Sequence, residues 1–110
     1  MFAVIYRGYI PPENEEEYKK LWKVIATYFI EKRGAIGSRL HKAYNGDFLA
    51  YSCWPDKETR DKSWPGEDAP NEILPQEIRE AIIQIRSLSP YPFEEIPLDV
   101  LEDKLFANKY

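Results

Sequence analysis

The run Phe2 to Ile10, FAVIYRGYI, constrains this chain more than any other stretch. It is β-branched and aromatic and ends at Pro11-Pro12, which marks a strand. In a strand, alternate side chains point to opposite faces. Phe2, Val4, Tyr6 and Ile10 share one face, and Ala3, Ile5 and Tyr9 share the other. A strand that is apolar on both sides is normally covered on both sides. At 110 residues the chain suits one domain spanning 1–110. In so small a domain helices seldom cover both faces of a sheet, so a second subunit is the expected cover for the other.

The remaining pattern follows in order. From Glu13 to Lys32, residues Tyr18, Leu21, Trp22, Ile25, Tyr28 and Phe29 recur at helical spacing. Glutamates crowd the start, Lys32-Arg33 close the end, and Gly34 is a natural stop. Ile36–Tyr44 and Asp47–Trp54 read as two strands of a hairpin around Asn45-Gly46, a type I′ turn signal. That turn places His41 opposite Ala50 and Cys53 opposite Ser38. Pro55 stops the second strand, and Asp56 can cap a short helix through Ser63. A proline-rich loop follows Trp64. After Pro75, residues Ile78, Ala81, Ile82, Ile85 and Leu88 form one apolar helical stripe. Phe93–Leu101 is a fourth strand in which Pro97 favours a sheet edge, and Leu101–Phe106 suggests a terminal helical turn. Strand, helix, strand, strand, helix, strand is the ferredoxin-like βαββαβ order of an α+β domain with an antiparallel sheet.

The composition narrows the function classes. The net charge is −4, and lysines and arginines are interspersed with acids, so no phosphate-binding stripe for nucleic acid is expected. No apolar run is long enough to span a membrane, and the first residues lack a basic leader, so a cytoplasmic location is expected. One cysteine, Cys53, excludes an internal disulfide and a cysteine-rich metal site.

His41 is the only histidine. The expected hairpin register does not set it directly against Cys53, and a small buried thiol is the commoner outcome. One histidine, one cysteine and scattered carboxylates match no metal-ligand spacing, and no glycine-rich phosphate loop is present, so no cofactor is expected. Arg7 and Arg39 sit mid-strand among apolar neighbours. Each either pairs at the sheet edge or holds an anionic ligand. Tyr6, Tyr51, Trp54 and Trp64 are either core and interface or pocket lining, and Trp22 lies on the apolar helix stripe.

These residues resemble a known family. FAVIYRGYI, a helix, Gly34 to Leu40 (GAIGSRL), Gly46-Asp47-Phe48 and Tyr51 to Glu58 (YSCWPDKE) look like the antibiotic biosynthesis monooxygenase superfamily. There, a glycine-led second strand precedes a third strand that ends in tryptophan before a short helix. The resemblance covers residues 2 to 64 and continues more loosely to the last strand. It implies a dimeric α+β barrel in which two sheets pack face to face, that is, a homodimer. It also implies oxygenation of a small aromatic or phenolic substrate without metal or flavin. Trp64, Arg39, His41 and Tyr6 are then the catalytic candidates, and Arg7, Trp22, Tyr51 and Trp54 the substrate-binding ones. Trp64 falls one place after the position of the family's functional tryptophan. Haem-degrading members carry an asparagine near the position of Tyr6 and a histidine on the next helix. This chain has neither, so no axial haem ligand is expected. The alternative implied by the same fold is a non-catalytic dimeric ligand-binding or stress-response module.

Overall fold

The computed structural model describes residues 1–63 and 74–105. The elements are β1 (Phe2–Tyr9), α1 (Glu15–Lys32), β2 (Gly37–Lys42), β3 (Asp47–Trp54), α2 (Lys57–Ser63), α3 (Gln76–Ser87) and β4 (Glu94–Asp99). The strands form one antiparallel sheet in the order β2-β3-β1-β4. This is the α+β, ferredoxin-like arrangement expected from the sequence.

Local chemistry explains the boundaries. Pro12–Asn14 makes a 3-10 turn, so α1 starts two residues later than its glutamates suggest, at Glu15. Glu15, Glu16 and Glu17 occupy its positive end and Lys32 its negative end. At α2, the Thr59 N–H donates to Asp56 Oδ1 at 2.7 Å, the expected N-cap. The buried Ser63 hydroxyl donates to the Arg33 carbonyl at 3.1 Å and ties α2 to the end of α1. Pro97 stands opposite Val4 on β4, an edge strand, where its missing N–H leaves no ladder bond unmade.

Phe2 and Val4 of β1 and Trp54 of β3 pack with Phe29 of α1 and with Ile78 and Ile82 of α3. Ile10, Tyr18 and Phe48 form a second buried cluster, against which Leu40, Ile85, Leu88 and Phe93 pack. Each large side chain so buried contributes about 1.5–3 kcal/mol. Lys42 of β2 reaches Glu15 of α1 at 3.1 Å, which fixes which side of β2 faces the helices. The other face of the sheet carries Ile5, Tyr9, Leu49, Tyr51, Cys53, Ile96 and Leu98, and no described element covers it. Tyr9 is 39% exposed and Leu98 36%. Ala3, flanked by Cys53 and Leu98, is the fully buried exception.

The hairpin differs from its sequence signal. No described residue other than glycine has positive φ, so Asn45 does not take the conformation a type I′ turn requires. Gly46 alone does, at φ 96°. The loop is Tyr44, Asn45 and Gly46, closed by Ala43 N–H to Asp47 O at 2.8 Å and Gly46 N–H to Ala43 O at 2.9 Å. Asn45 Oδ1 instead accepts the Asp47 N–H at 3.0 Å, a local bond that holds the turn in this form. The register therefore moves by one residue. His41 faces Leu49, not Ala50, and Cys53 faces Gly37, not Ser38. A one-residue shift exchanges the faces of a strand, so Arg39 and His41 lie on the open side. The helical turn expected after Leu101 is also corrected: residues 101–105 form no helix, and Phe106 lies outside the described residues.

Candidate functional site

The covered side of β3 reads Phe48, Ala50, Ser52, Trp54. Two aromatic side chains stand at the ends and two small ones between them. Ser38 of β2 faces Ser52 and is also small. Where side-chain volume is missing, the helices cannot close onto the sheet, and a cavity of about 350 Å³ remains. Ser38, Ala50 and Ser52 form its floor. Trp22, Ile25 and Ala26 of α1 and Ile82 and Ile85 of α3 line it from the helix side. Phe29 and Trp54, with ring centroids 6.2 Å apart, stand at one end. At the other, Tyr18 packs against Phe48 at 5.2 Å and against Phe93 at 6.2 Å. Phe93 owes its place to Gly8, since a Cβ there would collide with the Phe93 ring.

One stretch of the wall is charged. Glu95 of β4 and Arg86 of α3 line the cavity beside Tyr6. Arg60 of α2 donates to the Tyr6 hydroxyl at 2.9 Å and pairs with Glu95. Its side chain is only 12% exposed, and among the described residues its Nε has no partner. Burial pushes the Tyr6 hydroxyl above the ordinary phenol pKa, against the pull of Arg60. Burial alone pushes Tyr18 up to about 12. Both hydroxyls are therefore neutral at physiological pH and act as hydrogen-bonding groups, not as bases.

The sequence-derived candidates divide by strand parity. Tyr6, Trp22 and Trp54 reach the cavity. Tyr51 borders it from β3, but alternation turns its side chain to the open face. There its pKa is pushed up to about 12, first by a hydrogen bond with Cys53 and then by burial. Arg7, Arg39 and His41 also stand on the open face and are exposed. Arg7 pairs with Asp47 at 3.1 Å. Trp64 lies outside the described residues. Sequence reasoning missed Arg60, Arg86 and Glu95, which sit among solvated charges in the sequence and meet only through the crossing of α2, α3 and β4. It also placed Tyr18 on the apolar helix stripe without singling it out. Among the described residues no cluster of histidine, cysteine, aspartate and glutamate could hold a metal, and no helix is long and apolar enough to cross a membrane.

No protein-family model matches this sequence, and no curated protein matches it. Solved structures do match by shape. An antibiotic biosynthesis monooxygenase superposes with a TM-score of 0.70 at 15% identity, covering 93% of this chain and 100% of its own. Rv0793 from Mycobacterium tuberculosis gives 0.71 at 16% identity, over 93% and 96%. SnoaB, a cofactor-independent oxygenase from Streptomyces nogalater, gives 0.71 at 12% identity, over 93% and 94%. At these identities the likeness establishes the fold: the chain has the ferredoxin-like architecture of antibiotic biosynthesis monooxygenases.

Proposed function

We propose that this chain forms a homodimer whose subunits each bind a small planar phenol and oxygenate it without metal or flavin. The observation that supports this most is the cavity, with aromatic and aliphatic walls and one charged stretch. Binding sites for small molecules are typically apolar clefts of this size with a few converging polar groups. The fold shared with a cofactor-independent oxygenase agrees with it.

In this reading Trp22, Phe29 and Trp54 hold the ring, and the phenolic oxygen lies toward Tyr6 and Arg86. The guanidinium of Arg86, with Arg60 behind Tyr6, favours phenolate over phenol. Glu95 is the carboxylate among the described lining residues and would accept the phenolic proton. The phenolate then supplies electrons to dioxygen. For an anthrone, the ring methylene is oxidised by four electrons to a carbonyl. One atom of dioxygen enters that carbonyl, and the other leaves as water with the two methylene hydrogens. Arg7, Arg39, His41 and Tyr51 belong in this proposal to the face on which a second copy packs, and Trp64 keeps the role the family resemblance gives it.

The test is oxygen uptake over a panel of hydroquinones and anthrones. Uptake of one dioxygen per anthrone consumed is expected. Rates no higher than the buffer background across the panel would sink the oxygenase. One observation favours the second reading, a binding module without catalysis: the pKa of Tyr6 and that of Tyr18 are both raised, away from physiological pH, so neither serves as a base. Saturable binding of the same compounds without uptake is the outcome that would establish it.

A further inference from the structure

Tyr18 is the most deeply buried polar side chain of the cavity wall, only 3% exposed. Its ring is fixed between Phe48 and Phe93. Its surroundings are Ile10, Leu40, Ile85 and Leu88, all apolar. Yet among the described residues its hydroxyl has no hydrogen-bond partner, and burial is the only influence on its pKa. The hydroxyl is not one of the fully enclosed unpaired polar atoms, which among the described residues are Nε of Arg60 and of Arg79, so it keeps accessible surface although the residue as a whole is buried. The hydroxyl lies at the edge of a space large enough to admit an acceptor.

We propose that Tyr18 is a ligand-binding residue whose hydroxyl donates a hydrogen bond to a ketone oxygen of an aromatic ligand. This rests on reading the cavity as a ligand site. The acceptor is neutral because the walls around Tyr18 are apolar and the nearby cation, Lys42 over the Phe48 ring, is already paired with Glu15, so an anionic oxygen there would lose hydration with little in return. Charge is accommodated at the other polar group, by Arg86 and the Tyr6–Arg60 pair. The two tyrosines thus divide the recognition of a bifunctional ligand. Tyr6, already held by an arginine, marks the end for a phenolic oxygen. Tyr18, with its donor unspent, marks the end for a carbonyl.

The experiment compares 9-fluorenone with fluorene, which share a planar frame and differ in the ketone. Binding to the purified protein is measured by calorimetry for the wild type and for Tyr18→Phe. The wild type is expected to bind fluorenone about tenfold more tightly than fluorene, the worth of one buried hydrogen bond. Tyr18→Phe is expected to bind the two alike, with fluorene affinity unchanged. Its ligand-free melting temperature should not fall, since only an unpaired hydroxyl is removed. A preference for fluorenone that survives in Tyr18→Phe overturns the assignment. So does equal binding of both compounds by the wild type, which leaves the aromatic cavity standing. If neither compound binds the wild type, the cavity reading and the role of Tyr18 fall together.

Discussion

The two sides of β3 have different work to do. Facing the helices, Phe48, Ala50, Ser52 and Trp54 alternate bulk with emptiness and create a space. Facing away, Leu49, Tyr51 and Cys53 are partly exposed. One side lines a cavity, and the other is left uncovered by any described element. The same backbone serves both because side chains alternate strictly along a strand. Substitutions one residue apart should therefore disturb quite different properties.

The largest effect is expected from Trp54→Ala, which empties the wall at the Phe29 end and should lower stability by about 3–5 kcal/mol. Urea denaturation checks this. Cys53→Ala, its neighbour on the open side, should move the same midpoint far less. If both changes had equal effects, the contrast between the faces would be broken. Next is Ile5→Glu, on the open face. A charge set into the proposed subunit interface should weaken self-association roughly 100-fold, about 3 kcal/mol. Light scattering should report about twice the 13.0 kDa chain mass for the wild type and one chain mass for the variant. A wild-type mass of one chain would remove the homodimer altogether. The smallest stability change is expected from Ala50→Phe, which refills the space from the floor. Filling an empty cavity should hold stability or raise it, by no more than about 2 kcal/mol, while binding of fluorenone should fall at least tenfold. Unimpaired binding would mean that the cavity is not the ligand site.

Much of the architecture was legible because it depends on periodicity. The two-sided apolar character of Phe2 to Ile10, the helical stripe through Tyr18 and Phe29, and the stripe through Ile78 and Ile82 each specify an element and the side it buries. The site was harder to read. Tyr6, Trp22 and Trp54 were visible because large aromatic groups stand out in any sequence. Arg60, Arg86 and Glu95 were not, since nothing local distinguishes them from the other charges of their segments. Arg39 and His41 became candidates through the family resemblance, and the turn, read one residue too short, gave no warning that both face the open side. Asn-Gly is the usual mark of a tight hairpin, but the Asn45 carboxamide bonds to the Asp47 amide and stabilises the longer loop. Side-chain competition of this kind is decided by local geometry, and the dipeptide alone does not reveal it.

The left-handed conformation at Gly46 has a consequence for how this chain can change over generations. It sets the parity of β2, an edge strand bonded on one side only. Shortening the turn by one residue would rotate that strand's two sets of side chains through half a revolution without altering a single codon within it. Ser38 would leave the cavity floor, and a guanidinium and an imidazole, Arg39 and His41, would enter. The reverse of the strand thus stores a second set of chemical groups, one deletion away from use.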